Sequence, residues 1–230
     1  MYLCNWIFAY LKKRHRLNFK CVLFLVIPMY ISLKYYICLF FSEATDITIL
    51  DVLPWDDVLF KSIFPCLELT TLFQLRTVSQ QFKSCIEGYF SCCRRVNLCR
   101  VSLRFTVDAF ELLTYNNYSL RTLVLRNSKN WLSDPVLNPV LENNANLNKI
   151  DLTNCTSLSS TCLQCLAISC KNIQEILLRD CHWVSVEGLM IIAQNCLNLQ
   201  KVDLSGCWEI NDNAIITLAR SCQKYIFLII

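Results

Sequence analysis

The sequence ILLRDCHWVSVEGLMIIAQNC, from Ile176 to Cys196, returns in altered form as VDLSGCWEINDNAIITLARSC, from Val202 to Cys222. A third copy, IDLTNCTSLSSTCLQCLAISC, begins at Ile150, and successive copies start 26 residues apart. Each copy has apolar residues at its first, third and ninth positions and cysteines at its sixth and last positions. A fixed period of this length is typical of a solenoid built from stacked repeats.

Each repeat contains the signals of a short strand followed by a helix. Ile176 and Leu178 alternate as in a strand, whereas Leu189, Ile192 and Ala193 follow the i, i+3, i+4 spacing of one helix face. Neither element can bury its apolar face alone, so neighbouring repeats must stack. The pattern resembles cysteine-containing leucine-rich repeats. The expected fold class is therefore α/β, with parallel strands on the concave wall of a curved solenoid and helices on its convex wall.

The repeat pattern extends in both directions. Leu123 and Leu125 are the strand positions of an upstream unit, which is in register after one extra residue, and Val96 lies 27 residues before Leu123. Leu228 occupies a strand position of one further unit, whose helix is missing. We therefore expect about five repeats over residues 91–230, the last incomplete, and a truncated or alternative C-terminal end.

Charge and cysteine content bound the possible functions. Residues 1–41 hold six basic and no acidic residues, and the remaining chain holds 16 basic and 18 acidic residues. The net charge of +4 therefore gives no basis for a nucleic-acid surface on the folded part. Six of the sixteen cysteines recur at equivalent repeat positions, which favours buried thiols in a reducing compartment over disulfide bridges. They are Cys155, Cys170, Cys181, Cys196, Cys207 and Cys222.

Residues 1–46 form a hydrophobic and basic leader that is set apart from the fold. The apolar stretch at 21–41 is similar to a membrane span, but Pro28 and Lys34 interrupt it, and the run before Lys34 is shorter than the ~20 residues a spanning helix needs. Three interpretations stay open: a mistranslated upstream segment, a signal anchor, or an interfacial segment. We expect a cytoplasmic protein, with a membrane anchor through residues 21–41 as the alternative.

Residues 47–90 contain the signals of three short helices. Pro54 and the acidic residues after it open the first helix, and Pro65 ends it. The pair Thr71-x-x-Gln74 is a capping-box pattern for the second helix, and the apolar periodicity of residues 82–90 predicts the third. Three short helices cannot bury apolar faces on several sides within about forty residues, so a partner or the repeats must cover part of that surface.

The helical segment resembles an F-box, through Leu53-Pro54, the spaced leucines after it and Val78-Ser79 followed by Phe82, where the family often has Trp. With leucine-rich repeats directly after it, the chain resembles the F-box/leucine-rich-repeat proteins over about residues 50–222. In that family the three-helix F-box docks on Skp1, the adaptor of cullin–RING ubiquitin ligases. The resemblance assigns Skp1 binding to Leu53, Pro54, Leu59, Ile63, Leu67, Leu72, Leu75 and Val78.

The resemblance also implies partners and a role. A cullin and a RING subunit would join Skp1, and HECT-type ubiquitin ligases of the Smurf kind are a candidate class of substrate. The chain would then be the non-catalytic, substrate-recognition subunit of an SCF ubiquitin ligase, which promotes ubiquitination and proteasomal degradation of a bound protein.

The concave groove is the expected substrate surface, because solenoid curvature creates such surfaces. Leu177 is a candidate apolar anchor, and Arg126 and Arg179 are candidate hot spots; an ordinary solvated face is the alternative. The candidate groove residues, which alternate with the inward strand residues, are Arg126, Lys149, Asp151, Glu175, Leu177, Arg179, Lys201 and Asp203.

Catalysis and metal binding find little support in the sequence. His182 stands beside Cys181, but adjacent residues rarely face each other, and no base with an orienting group accompanies them. Cys162-x2-Cys165-x4-Cys170 has zinc-like spacing, but it lies along a predicted helix without a second ligand pair. We expect no metal and no other cofactor.

Two other interpretations remain. A membrane-anchored or secreted leucine-rich-repeat recognition protein would carry glycan at Asn117-Tyr118-Ser119 or Asn154-Cys155-Thr156, which are N-glycosylation acceptors in a secretory compartment. Glycan on either asparagine would reject the ligase interpretation. A defective receptor would retain Skp1 binding, but its groove would be too short to hold substrate.

Overall fold

Four helical segments precede the first strand. A π-helical segment, Trp55–Ile63, and a 3-10 turn, Phe64–Cys66, are followed by helices α1, Leu69–Arg76, and α2, Gln80–Cys92. We call residues 55–92 the helical module. The structure is a computed structural model that describes residues 55–221 and 227–230, so Leu53, Pro54, Cys222 and the leader lie outside the described residues.

Strands and helices alternate after the helical module. The strands are β1, Arg95–Asn97; β2, Thr122–Val124; β3, Lys149–Asp151; β4, Glu175–Leu177; β5, Lys201–Asp203; and β6, Phe227–Ile229. The helices between them are α3, Val107–Thr114; α4, Asp134–Asn143; α5, Ser160–Ser169; α6, Val186–Asn195; and α7, Asp212–Ser221. A 3-10 turn, Ser102–Arg104, precedes α3.

All six described strands are parallel and lie in sequence order, β1 to β6. Their register places Arg95, Thr122 and Lys149 side by side, and the same row continues through Glu175 and Lys201. This spacing is the repeat period of the sequence, so the predicted solenoid of parallel strands and outer helices is confirmed. Phe227–Ile229 pairs with β5 as the predicted strand of the last unit.

The apolar stripes of the helices form the core between helices and strands. In α5, Leu163, Leu166 and Ala167 are fully buried, as predicted. The stripe predicted for α7 is only partly correct, because Leu218 is buried but Ala219 is exposed. Among the described residues α7 packs against a single neighbouring helix, α6, so only one flank of its apolar face is covered.

A left-handed turn residue follows four successive strands. Asn127, Asn154, Asp180 and Gly206 occupy equivalent repeat positions, and their φ angles are 60°, 57°, 57° and 75°. Asn, Asp and Gly are the residues that tolerate this conformation. At Gly206 a Cβ atom would also collide with the carboxylate of Asp180. The available signal for this turn was the recurrence of these residue types one place before Cys155, Cys181 and Cys207, and before Ser128 in the first of the four turns.

The three helices predicted for the helical module are present, but the predicted start of the second helix is wrong. The first helical segment ends at Ile63, just before Pro65, and α2 begins after Ser79, whose hydroxyl accepts a hydrogen bond from the Phe82 amide at 3.2 Å. The capping box predicted at Thr71 is wrong. Helix α1 begins at Leu69, and its hydrogen bonding starts at the Glu68 carbonyl, which places Thr71 inside the first turn.

None of the helices in the described ranges combines the length and the hydropathy of a membrane span.

Candidate protein-binding surfaces

The helical module is held together by an aromatic interior. The rings of Phe60, Phe64 and Tyr89 pack with centroids 5.3–5.9 Å apart, so the π-helical segment lies against α2. Leu59 and Leu72 are buried in this interior, at 6% and 3% exposure. Two of the residues predicted to bind Skp1 therefore contribute to the fold of the module itself rather than to its surface.

Four other predicted Skp1-binding residues are partly or largely exposed, and we call them together the outer apolar surface: Ile63, Leu67, Leu75 and Val78. The first three are half-buried, and Val78 is 66% exposed. Val78 lies in the turn between α1 and α2, where its amide donates to the Leu75 carbonyl at 3.1 Å. Large apolar side chains this open are candidates for contact with another protein. Leu53 and Pro54, the remaining two, lie outside the described residues.

Asn117 fastens the helical module to the repeats. Its side-chain amide donates to the carbonyls of Phe90 and Cys93, at 2.6 and 2.9 Å, and its Oδ1 accepts from the Ser119 amide at 2.8 Å. The residue is 1% exposed. An amide that is buried and fully hydrogen-bonded cannot carry a glycan in this fold, so a glycan on Asn117 would contradict this fold as well as the ligase interpretation.

The second acceptor, Asn154, is half-buried in a left-handed turn. Its side-chain amide donates to Oδ1 of Asn127 in the preceding repeat at 2.8 Å. The bond joins the turns of two neighbouring repeats, so modification of Asn154 would remove a contact between them.

Cross-strand ion pairs cover the concave groove. The Nε of Arg126 lies 2.5 Å from Oδ2 of Asp151. The same pairing recurs two repeats later, with Nη2 of Arg179 3.2 Å from Oδ2 of Asp203. Both arginine side chains remain about half exposed, at 48% and 50%. Each guanidinium has five N–H donors, so the arginines can hold the neighbouring aspartate and still meet a partner.

The groove aspartates serve the fold more than the surface. Asp151 is 1% exposed, and its Oδ1 accepts from the Thr153 amide and hydroxyl at 3.2 and 2.7 Å. Asp203 likewise accepts from the Ser205 amide at 3.1 Å. Burial alone would raise the pKa of Asp203, but hydrogen bonds from Ser205 and the Arg179 charge bring that pKa below its ordinary value. These carboxylates accept hydrogen bonds from the backbone just after the strands and orient the arginines.

The other groove residues differ in how far they are open. Nζ of Lys149 lies 2.6 Å from Oε2 of Glu175, and both side chains are about one-third exposed. Lys201 is half-buried, with Nζ 6.0 Å from the centroid of the Phe227 ring. Leu177 is only 6% exposed, so it offers a partner little surface as an apolar anchor.

The cysteines after the strands bind the repeats to one another. Each thiol donates a hydrogen bond to a backbone carbonyl just after the strand of the preceding repeat, at 3.0–3.1 Å. Burial raises the pKa of Cys155 to about 11 and that of Cys181 to about 12. The predicted role of these cysteines as buried thiols in the repeat turns is confirmed. The donor and acceptor pairs are Cys155 with Leu125, Cys181 with Leu152, and Cys207 with Leu178.

The side chains of His182 and Cys181 do not form a pair. His182 is exposed and its ring packs against Trp208, with centroids 4.7 Å apart, whereas the Cys181 thiol is buried and bonded to a backbone carbonyl. Of the zinc-like set, Cys162 is buried on α5. Within residues 55–221 and 227–230, no three potential metal ligands cluster.

Comparison with known proteins gives sequence relatives. No protein-family model matches the chain. Over 129 residues, 56% of its length, the chain is 33% identical to the mouse (Mus musculus) F-box/LRR-repeat protein 15, and it is equally similar to the rat (Rattus norvegicus) protein of the same name. The matched region spans 43% of the length of each relative.

Among solved structures, a crystal structure of the Rad7 and Elc1 complex in yeast matches 56% of this chain and 40% of that chain, with a TM-score of 0.47 and 14% sequence identity. The sequence relatives are the informative matches, and they confirm the predicted resemblance of this chain to the F-box/leucine-rich-repeat proteins.

Proposed function

We propose that this chain is the substrate-recognition subunit of an SCF ubiquitin ligase. The helical module would bind Skp1 and, through it, a cullin and a RING subunit. The concave groove would hold a protein substrate for ubiquitination and proteasomal degradation in the cytoplasm. The observation that carries the proposal is the outer apolar surface of the helical module, in a chain that is similar to an F-box/LRR-repeat protein.

The mechanism needs no chemistry from this chain. A receptor that holds the substrate and the ligase together raises the effective concentration of substrate lysines near the ubiquitin-conjugating enzyme. The requirements are two surfaces on one rigid scaffold. The outer apolar surface and the half-exposed groove arginines support such a division of roles. HECT-type ubiquitin ligases of the Smurf kind remain the candidate substrate class.

The test uses the full chain and purified Skp1. Val78→Asp places a charge on the outer apolar surface, and Ile168→Asp is a matched control, because Ile168 is 63% exposed on the convex helix α5. We expect wild type and Ile168→Asp to bind Skp1 equally and Val78→Asp to bind at least tenfold more weakly, a change of about 1.4 kcal/mol. The double variant Leu53→Ala/Pro54→Ala should also lose binding.

Equal recovery of Skp1 by wild type, Val78→Asp and the Leu53/Pro54 variant would reject the docking role. Circular dichroism of each variant separates loss of the surface from loss of the fold, since exposed substitutions leave stability within about 0.5 kcal/mol.

A further inference from the structure

A cavity of about 200 Å³ lies where the helical module meets the first strand. Most of its walls are apolar side chains from the module, including Phe64, Leu69 and Phe90. Arg95 and Asn97 line its other side. Both residues are exposed and alternate with buried Val96 along β1, so they belong to the concave face of the strand. Because the buried side chains of Val96 and Leu113 also line it, the cavity, which we call the junction cavity, lies at the β1 edge of the sheet, next to the beginning of the groove.

Arg95 at the junction cavity differs from Lys149 in its pairing. Lys149 lies opposite Glu175 in the sheet register and pairs with it. Arg95 occupies the same row but lies opposite Thr122, whose side chain is uncharged. Arg95 has no ion pair with any described carboxylate. The exposed Arg95 guanidinium beside an apolar cavity thus lacks the carboxylate partner that Lys149 has, whereas Lys201, in the same row, lies over the Phe227 ring.

We propose that the junction cavity and Arg95 bind a partner's peptide segment in which a bulky apolar side chain stands next to acidic residues. A volume of about 200 Å³ is below the roughly 300–1,000 Å³ of small-molecule sites, and it suits one apolar side chain. Arginine binds carboxylates in a bidentate manner. The inference rests on the proposed receptor function, because it specifies the kind of substrate segment that the groove takes.

Charge argues against other occupants. The described residues hold 15 basic and 15 acidic side chains, so they lack the excess positive charge of a nucleic-acid surface. Residues 1–41 of the chain carry six basic and no acidic residues, which does not complement Arg95. The stretch 43–51 carries three acidic residues and is the internal competitor that the test must separate from an external partner.

The first experiment is a peptide array probed with the full chain. Its nine-residue peptides carry a central Phe, Leu or Trp flanked by Asp, with matched sets in which Lys replaces Asp or Ser replaces the central residue. The strongest acidic Phe peptide is then labelled with fluorescein and titrated by anisotropy. We expect binding that the Phe-to-Ser change weakens about tenfold or more, because burial of an aromatic side chain is lost.

Protein variants test the charge. Arg95→Glu should weaken binding of the acidic peptide at least tenfold and should gain binding of the Lys-flanked peptide. Lys171→Glu, at an exposed position before β4, is the matched control and should bind like wild type. The proposal is overturned if Arg95→Glu behaves like Lys171→Glu, if the Ser peptide binds equally, or if no acidic peptide binds below about 1 mM.

The triple variant Glu43→Gln/Asp46→Asn/Asp51→Asn tests whether the stretch 43–51 is the internal competitor. If peptide binds only to this variant, the occupant is the chain's own segment and the proposal is overturned. All titrations are done without Skp1, and Val78→Asp should bind peptide normally. Leu67 belongs to both the outer apolar surface and the cavity lining, but Val78 does not line the cavity, so the Val78→Asp variant tells failure of peptide binding from failure of Skp1 binding.

Discussion

Replacing Asn117 with alanine should destabilise the protein by about 2–4 kcal/mol. The change removes both donors to the carbonyls of Phe90 and Cys93. The first carbonyl is buried, and leaving such a group unsatisfied costs about 1–3 kcal/mol, while the second hydrogen bond has a net worth of about 1 kcal/mol. The loss is a large share of the roughly 5–15 kcal/mol that holds a typical domain together.

Urea unfolding followed by far-ultraviolet circular dichroism measures this loss. With a slope of about 2 kcal/mol per molar, the midpoint should fall by about 1–2 M. Ser119→Ala is the control, because it removes the same glycosylation signal while leaving the Asn117 side chain and the Ser119 amide in place. It should change stability by less than about 0.5 kcal/mol.

Two outcomes would refute this account of Asn117. An unchanged midpoint for Asn117→Ala would mean that its amide does not fasten the helical module to the repeats. A glycan on Asn117 in the folded, secreted chain would mean that the residue is exposed, and it would favour the recognition protein of a secretory compartment over the ligase subunit.

Two further predictions concern the groove and the thiols. Hydrogen bonds from Ser205 and the Arg179 charge outweigh the effect of burial and lower the folded-state pKa of Asp203. The contribution of Asp203 to stability is therefore fully present above its ordinary pKa of 3.8, and it is lost as the pH falls through the lower folded pKa. The stability difference between wild type and Asp203→Asn in urea unfolding should thus be largest near pH 7 and shrink below about pH 4; a difference independent of pH would contradict it. Iodoacetamide at neutral pH should modify exposed Cys99 in the native chain and leave Cys181 unmodified until denaturant is added, because burial raises the pKa of Cys181 to about 12. Peptide mass spectrometry gives the two rates, and equal native rates would show that the thiol is accessible.

The repeat register was predictable because it depends on spacing alone. Inward strand residues, helix stripes and cysteines each recur at 26 or 27 residues, and the sheet pairs the residues that this spacing aligns. The ends of short helices were not predictable to the same degree. Thr71 fits a capping pattern, but the 3-10 turn before it lets α1 begin earlier, at Leu69.

In the groove, alternation along a strand is insufficient to predict which side chains are exposed. Asp151 alternates outward like its neighbours, yet it is buried, because Arg126 reaches across from the preceding strand and Thr153 bonds it from the following turn. Partners at two positions decide the exposure of one side chain. A row-by-row alignment of the repeats contains that information, since Arg126 and Asp151 stand on neighbouring strands, but a single repeat does not.

The burial of Asn117 was not predicted, for a related reason. Its sequence context fits a glycosylation signal, but its repeat position is that of Asn144 and Cys170, which close the helices of later repeats and are also buried. A residue that is polar in one repeat and cysteine in another at the same place indicates a buried group that must form hydrogen bonds. Comparison between repeats was therefore the available signal.

The change from asparagine to cysteine at this position gives a physical reason why the helical module attaches where it does. A thiol has one weak donor, and the Cys170 thiol meets two carbonyls of the preceding repeat only at 3.5 Å. An amide has two strong donors and an acceptor. Asn144 uses these groups inside the solenoid: its Oδ1 accepts a hydrogen bond from the Leu120 amide, and its Nδ2 donates one to the Asn117 carbonyl.

Asn117 directs the same groups outward from the repeats, to carbonyls at the end of α2 and just beyond it. A cysteine in its place would leave at least one of these carbonyls without a donor. The first repeat can therefore receive a helical module of different architecture because its closing residue is an amide. The same contact fixes the module beside β1 and so determines the walls of the junction cavity. One buried side chain thus sets the geometry between the outer apolar surface and the beginning of the groove, and the proposed receptor function requires this geometry to stay constant.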